Sequence, residues 1–253
     1  MKADYRQGDY RVVADRLRPA AERLVSWTAP TGLVVDVAAG TGNVSGAVLA
    51  AGASAVAVDV VPEQLQLGRE VQGTQIAWVA GDAVALPLRE GVADAALSTF
   101  GVIYVEDAAA ALQEMARVCK PGAVLGLTAW AQDGYQAASA AALSSALGEE
   151  YGDGHLRRWG TPKLATAHLA CFCDQVEVRR EPLRSPYRSL EAWWDTVSTS
   201  APPLVTAAQR VSPEAFQALG AELRSVVRAF SHEARDGFVL QDEFLMARGR
   251  VRP

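Results

Sequence analysis

Three aspartates recur at equal intervals in the first third of the chain, and together they could bind one polar ligand. Asp36 lies inside the apolar run "VVDVAAGTG", Asp59 ends the run "AVAVD", and Asp82 follows "IAWVAG". Each interval has about the length of one strand, one helix and a turn. The carboxyl ends of parallel strands meet at one edge of a sheet, so these carboxylates would face hydroxyl or cationic groups there. Taken singly, each has a structural alternative: a carboxylate bonded to nearby amides, a cap of the helix that begins at Pro62, and a Gly–Asp turn.

The glycine turn after Asp36 lacks the features of a phosphate-binding loop. A Walker loop needs Lys and Ser/Thr after its last glycine, but Gly42 is followed by the letters NVS. A dinucleotide fingerprint needs the spacing GxGxxG, and Gly46 comes one residue too late after Gly40 and Gly42. An acid before the turn would repel a pyrophosphate and attract an amino or sulfonium group. An adenosine with a zwitterionic amino-acid tail therefore fits better than NAD, and a nicotinamide oxidoreductase is disfavoured.

Strand and helix patterns alternate over about 100 residues around these acids. The strands are continuous apolar runs, which is typical of a parallel sheet covered by helices on both faces. After Trp130 the pattern becomes mainly helical, except for the strands "QVEVRREPL" and "FVLQDEFLMARGR". We predict a single domain over 1–253, with a ligand-binding core at 10–130 and helical cap insertions at 131–165 and 187–232.

Composition narrows the class of protein. The 253 residues have a formal net charge of -5, which disfavours a nucleic-acid-binding surface. Half of the residues (50%) are hydrophobic, which allows a large core. The N-terminal segment has no signal-peptide core, and no apolar run approaches the roughly 18 residues of a membrane-spanning helix. Three cysteines, an odd number, favour reduced thiols. We therefore expect a soluble cytoplasmic protein that has no membrane span and does not bind nucleic acid.

The motifs resemble those of a known family. "VVDVAAGTGN" resembles the (D/E)xGxGxG motif of class I S-adenosylmethionine (SAM) dependent methyltransferases, with Ala38 in place of the first glycine. "AVAVDVV", "GDAVALPL", "ADAALSTFGVIYVED" and "ALQEMARVCKPGAVLGLTAW" are similar to the later motifs of the small-molecule, quinone-biosynthesis-like branch. The resemblance implies a Rossmann-like α/β fold: a seven-stranded, mostly parallel sheet with helices on both faces, a last antiparallel strand and helical cap insertions.

The resemblance also implies the cofactor SAM, the product S-adenosylhomocysteine and the residues that bind them. Asp59 would accept both ribose hydroxyls, and the backbone of Val60 would lie under the adenine. Asp82 would receive the adenine amino group, and the amide of Ala83 would meet a ring nitrogen. The residues implied for the methionine end are Asp36, Ala38, Gly40, Gly42, Thr99 and Phe100.

Catalytic residues are harder to predict, because the family has no fixed general base. Tyr104, just beyond the fourth strand, and His155, in the insertion after the fifth strand, are the candidates. A packed loop aromatic is the alternative for Tyr104. Cys171 and Cys173 lack further ligands at suitable spacing, so we predict no metal site.

Aromatic residues are concentrated in the segments that would cover the site. They are Tyr5, Tyr10, Trp130, Tyr135, Tyr151, Trp159, Trp193 and Trp194. They favour a small, largely apolar or aromatic metabolite as the acceptor. With the resemblance, we expect methyl transfer to its oxygen, nitrogen or carbon, by a monomer or homodimer. The alternative is a protein of the same fold that binds SAM without methyl transfer, such as a cyclase or a regulatory partner subunit.

Overall fold

The computed structural model describes residues 10–147 and 154–253, so Tyr5 and Tyr151 lie outside the described residues. The chain divides into two compact units. The core unit contains Leu17–Ala129, Thr161–Arg180 and Leu245–Pro253. The helical unit contains residues 10–16, the described parts of Trp130–Gly160, and Glu181–Phe244. The single-domain interpretation stays a prediction.

Strands and helices alternate in the first half of the chain as predicted. The strands are β1 Leu33–Val37, β2 Ser54–Asp59, β3 Ala77–Ala80, β4 Ala93–Thr99, β5 Cys119–Trp130, β6 Cys173–Tyr187, β7 Ser231–Ala234 and β8 Gly237–Val251. The helices are α1 Tyr10–Thr28, α2 Asn43–Ala50, α3 Pro62–Gln72, α4 Ala108–Val118, α5 Tyr135–Leu147, α6 Gly154–Trp159, α7 Pro162–Leu169, α8 Leu190–Ser200, α9 Pro202–Ala208 and α10 Pro213–Ala229. A short 3-10 helix spans Val102–Tyr104.

The sheet has the order β3-β2-β1-β4-β5-β8-β6, with β7 paired to β8. Strands β1 to β5 pair in parallel, and Asp36 is in register with Ala57 on β2 and Leu97 on β4. Such a sheet must have crossovers between its parallel strands, and α2, α3 and α4 provide them. The ends of β1, β2 and β4 therefore meet at one edge, next to the glycine turn.

The last long strand runs antiparallel to its neighbour β5. The amide of Ala131 donates to the carbonyl of Glu243 at 3.0 Å, and the Arg250 guanidinium donates to the carbonyl of Gly122 at 3.2 Å. The end of β5 thus lies beside the first part of β8, and its beginning lies beside the end of β8. The predicted Rossmann-like α/β sheet, mostly parallel with an antiparallel last strand, is confirmed.

The structure adds one strand to the seven predicted. The segment 187–232 was expected to be mostly helical, but β7 begins at Ser231 and forms a hairpin with β8 through a two-residue turn before Gly237. Gly237 has φ +136, a value that L side chains rarely adopt. This strand is short and largely exposed, so it lacks the apolar alternation by which strands are recognised.

Helix ends follow the sequence patterns closely. Helix α7 begins with Pro162, and the Thr161 hydroxyl accepts a hydrogen bond from the Leu164 amide at 3.2 Å, which is the usual role of threonine at the start of a helix. Pro62 likewise occupies the first turn of α3. No helix in 10–147 and 154–253 is long and apolar enough to cross a membrane.

The helical unit has a hydrophobic core of its own. Trp193 is fully buried there, while the neighbouring Trp194 is only partly buried and packs against Phe216 at 5.3 Å between ring centroids. Adjacent helical positions face different directions, so only one indole of the pair can lie at the centre of the core.

Candidate functional site

The glycine turn after β1 has a left-handed backbone at three positions. Ala38, Gly40 and Gly42 have φ values of 53, 54 and 77. Only glycine adopts such a conformation without a steric penalty, which explains why the family motif has glycine where this chain has Ala38. The turn closes when the Gly42 amide donates to the Ala39 carbonyl at 2.8 Å. The chain thus exposes its backbone, rather than side chains, at the end of β1.

Asp36 is a buried carboxyl group below this turn. It is 2% exposed, and its Oδ2 accepts hydrogen bonds from the Ser45 amide at 3.0 Å and the Ser45 hydroxyl at 2.8 Å. Burial raises the pKa of Asp36 from 3.8 to about 7, although the two bonds from Ser45 oppose this rise. The charge of nearby Asp59 raises the pKa further. One oxygen of Asp36 is therefore bonded as the structural alternative describes, with a nearby amide as a donor.

Asp59 connects the end of β2 to the glycine turn. Its Oδ2 accepts from the Gly40 amide at 2.7 Å, and its Oδ1 accepts from the Val61 amide at 2.9 Å. A carboxylate has about four lone-pair positions, so each oxygen retains the capacity for a further donor. Burial raises the pKa of Asp59 from its ordinary value, and the amide bonds oppose the shift. Next to it, Val60 is an apolar side chain that is 66% exposed.

Asp82 forms the turn after β3. Its Oδ1 accepts from the Val84 amide at 3.1 Å, and its carbonyl accepts from the Ala85 amide at 3.0 Å. The structure therefore contains the Gly–Asp turn that was the structural alternative for Asp82. The carboxyl group is exposed while Ala83 is buried, so the adenine contacts implied for both residues stay predictions.

The end of β4 completes this edge of the sheet. Thr99 has a buried Oγ1 with no hydrogen-bond partner among residues 10–147 and 154–253. Phe100 has a left-handed φ of 54, and its amide donates to the Thr128 hydroxyl at 3.0 Å. A Cβ added at Gly101 would lie 2.6 Å from the Cβ of Ala38, so β4 approaches the glycine turn very closely.

Comparison with known proteins agrees with this geometry. Residues 35–127 match the family described as "Methyltransferase domain". Residues 35–127 are therefore similar to a methyltransferase domain, as the motifs predicted. A putative methyltransferase of Bacillus halodurans shares this fold, with a TM-score of 0.59 and 16% identity over 93% of this chain and 100% of that one.

Two curated relatives match part of the chain in sequence. An uncharacterized protein of Mycobacterium tuberculosis is 34% identical over 140 residues, which are 53% of this chain and 51% of that protein. A demethylmenaquinone methyltransferase of Renibacterium salmoninarum is 42% identical over 92 residues, 36% of this chain and 38% of that protein. The chain thus spans about half the length, or less, of these relatives. The predicted resemblance to the quinone-biosynthesis-like branch is confirmed.

Several residues that shape the candidate site have no recognisable pattern in the sequence. Ser45 bonds Asp36, Thr128 bonds the backbone of Phe100, and Trp78 lies against two glycines. A Cβ at Gly42 would come within 2.5 Å of the Trp78 ring. Serine in the first turn of a helix after a glycine motif was the one available hint, since small hydroxyl residues often bond nearby polar groups.

The two catalytic candidates lie in different units. Tyr104 ends the 3-10 helix of the core unit and is half-buried. His155 lies in α6 of the helical unit and is buried, with 7% exposure. Both roles stay predictions.

The three thiols of the chain are free. Burial raises the pKa of Cys119 to about 12 and of Cys173 to about 11, so neither forms a thiolate near neutral pH, while Cys171 is exposed. No group of three His, Cys, Asp or Glu side chains in the described part of the chain could hold a metal ion.

Proposed function

We propose that the chain binds SAM and transfers its methyl group to a small, largely apolar or aromatic metabolite. The observation that carries this proposal is the buried carboxyl group of Asp36 directly below a glycine turn. An ionised Asp36 would stabilise the ammonium group of an amino acid and would repel a pyrophosphate. This distinguishes a SAM site from a dinucleotide site, although both use a glycine turn.

The methionine end of SAM fits the groups at β1 and β4. Asp36 would act on the ammonium group through a water molecule or the turn amides. The turn at Ala38, Gly40 and Gly42 would let the backbone approach closely. The buried Thr99 hydroxyl without a partner would find one on a polar ligand, which removes the cost of leaving it unsatisfied.

The adenosine end fits the groups at β2 and β3. Asp59 is held in place by the Gly40 and Val61 amides and can still accept two ribose hydroxyls. The exposed Val60 would be covered by the adenine ring, which explains an exposed apolar side chain at this position. Asp82 and the amide of Ala83 would bind the edge of the ring.

SAM supplies an electrophilic methyl group on a sulfonium that is a good leaving group. The protein then has to hold the acceptor nucleophile in line with that methyl group and exclude water. A hydroxyl or ammonium acceptor must also lose a proton, for which Tyr104 or His155 would serve. The name of the relative from Renibacterium supports an aromatic acceptor of the quinone type, and the aromatic side chains of the helical unit agree with this chemistry.

Binding is tested by calorimetry with SAM and with NAD. SAM should bind and NAD should not, and tight NAD binding would overturn the assignment. Asp59→Ala should weaken SAM binding by at least ~1.5–3 kcal/mol, or roughly 10- to 150-fold, because charge-assisted hydrogen bonds to the ribose are lost. The control is Asp174→Ala. Asp174 lies on β6, at the opposite end of the sheet from β3, and this variant removes only an exposed ion pair with Arg252.

Methyl transfer is tested with labelled SAM against a panel of aromatic and polyketide-like acceptors. Label should appear in at least one acceptor with the unmodified protein and should be strongly reduced with Asp59→Ala. Tight SAM binding without transfer to any acceptor would favour the alternative of a protein that binds SAM without methylating.

A further inference from the structure

A buried carboxylate in the helical unit has one oxygen without a hydrogen-bond donor in the described part of the chain. Asp242 on β8 is 2% exposed. Its Oδ1 accepts from the Glu243 amide at 2.9 Å and, more weakly, from the Gln136 amide at 3.5 Å. Its Oδ2 finds no hydrogen-bond donor among residues 10–147 and 154–253. Arg16 has its Nη2 3.8 Å from this Oδ2, which is too far for a hydrogen bond.

Burying a carboxylate is costly unless the charge is closely paired and hydrogen-bonded. Here the ion pair with Arg16 is loose, and the Arg16 guanidinium also lies 5.9 Å from the centre of the Trp130 ring. The backbone is nevertheless built around Asp242. A Cβ at Gly134 would lie 2.9 Å from Asp242 Oδ1, so only glycine fits beside the carboxylate without a shift.

Other polar and aromatic groups of the helical unit share this neighbourhood. The buried hydroxyl of Tyr135 has a pKa that burial raises to about 12, and the charges of Arg16 and Asp242 both act on it, as does Tyr187. Tyr187 in turn stacks on Phe238, with ring centroids 5.6 Å apart. The carboxylate oxygen without a donor therefore lies in surroundings that combine aromatic rings with a cation and a hydroxyl.

We propose that Asp242 is an acceptor-binding residue, whose Oδ2 accepts a hydrogen bond from a phenolic or enolic hydroxyl group of an aromatic metabolite. This inference rests on the proposed function and names the acceptor class. A hydroxyl donor would satisfy Oδ2 where water is largely excluded, and the bond would be strong because the acceptor atom is charged. A methyl ether cannot donate this bond, so the site would prefer a hydroxylated acceptor to its O-methylated product.

The test uses 2-naphthol and 2-methoxynaphthalene as probes, which differ in this hydroxyl group. Binding to the full chain without SAM is measured by ligand-observed NMR titration at pH 7.5. We expect 2-naphthol to bind at least roughly tenfold more tightly. Equal affinities, or no saturable binding of 2-naphthol, would overturn the proposal.

Variants locate the preference at Asp242. Asp242→Asn keeps an oxygen for the backbone amides but places a donor at the Oδ2 position, so the preference for 2-naphthol should disappear. Glu243→Gln is the matched control on the same strand and should retain it. A preference that survives in Asp242→Asn would refute the assignment and leave Asp242 as a structural partner of Arg16.

A second measurement needs no variant. Burial raises the pKa of Asp242 to about 6, against the opposing charge of Arg16 and the bonds from the Glu243 and Gln136 amides. The preference for 2-naphthol should therefore fall between pH 7.5 and pH 5 in the unmodified protein, while Tyr135 stays protonated. The charge of Glu243 also raises the pKa of Asp242, so the Glu243→Gln variant should show this fall at a lower pH. A preference unchanged at pH 5 in the unmodified protein would contradict the proposal.

SAM calorimetry separates this inference from the proposed function. Asp242→Asn should bind SAM like the unmodified protein, which also verifies its folding. If the protein prefers 2-naphthol to 2-methoxynaphthalene but does not bind SAM, the methyltransferase function is refuted and the assignment of the binding site at Asp242 is retained.

Discussion

SAM binding should release a proton below pH 7, because Asp36 must ionise to stabilise the ammonium group. With a pKa of about 7, only about a tenth of the Asp36 carboxyl groups are ionised at pH 6. The apparent Kd for SAM should therefore be about tenfold higher at pH 6 than its limiting value above pH 7, and about 100-fold higher at pH 5. At pH 6, about 0.9 proton should be released for each SAM bound.

The assay is isothermal titration calorimetry from pH 5 to pH 7.5 in two buffers with different ionisation enthalpies. The difference in apparent enthalpy between the buffers gives the number of protons released. Asp36→Asn is the decisive variant, because its amide oxygen can still accept from Ser45 but the group cannot titrate. This variant should bind SAM more weakly at pH 7.5 and should lose the contribution of Asp36 to the pH dependence.

The free energy of unfolding of the SAM-free protein should also depend on pH through the protonation of Asp36. The pKa of Asp36 is higher in the folded protein than its ordinary value of 3.8, so the folded state holds the proton more tightly. The contribution of Asp36 to the free energy of unfolding is therefore greatest below pH 3.8 and is lost as the pH rises to about 7. A pKa rise from 3.8 to about 7 corresponds to at most about 4 kcal/mol. A Kd that is constant from pH 5 to pH 7.5, with no proton release, would refute the reasoning.

Three substitutions in and around the glycine turn give further predictions, each measured by urea unfolding and SAM calorimetry. Ala38→Gly relieves a left-handed φ and should raise the free energy of unfolding by ~1 kcal/mol or less. Gly101→Ala places a Cβ 2.6 Å from that of Ala38 and should lower the free energy of unfolding by about 1–3 kcal/mol. Gly68→Ala places a Cβ 2.4 Å from the Trp78 ring and 3.2 Å from the Thr41 carbonyl carbon, so it should weaken SAM binding as well as stability. Unchanged stability of both alanine variants would show that the turn can move away.

The order of elements in the core unit could be predicted because its central strands, such as β1 and β4, are buried on both faces. Continuous apolar runs such as β1 and β4, separated by helices with clear starts such as Pro62, leave few other topologies. The acids at the strand ends were predictable for the same reason. The β7 hairpin was missed because its pairing depends on a turn at Gly237 and contributes little burial.

The partners of the candidate site residues could not be predicted from the sequence. No local pattern states that Ser45 bonds Asp36 or that the Gly40 amide bonds Asp59, because these contacts depend on the distance between elements. The same holds for Asp242, whose surroundings come from α1, α5, β6 and β8. A charged residue within an apolar strand pattern is the only visible hint at that position.

Thr128 should hold the strained end of β4 in place through a single hydrogen bond. Phe100 has a left-handed backbone that is unfavourable for an aromatic residue, and its amide donates to the fully buried Thr128 hydroxyl. Thr128→Val keeps the shape but leaves that amide without its acceptor, so the free energy of unfolding should fall by about 1–3 kcal/mol. Since Gly101 lies directly against Ala38, a shift of Phe100 would move the glycine turn and weaken SAM binding.

Thr128→Ser separates the hydrogen bond from the shape of the side chain. It keeps the hydroxyl and removes one methyl group, which should cost only about 0.8 kcal/mol of stability. If the bond to Phe100 positions the turn, the serine variant binds SAM like the unmodified protein in calorimetry while the valine variant binds more weakly. Equal SAM affinities in the two variants would mean that the turn keeps its conformation without the Thr128 hydroxyl, and that other contacts support the strain at Phe100.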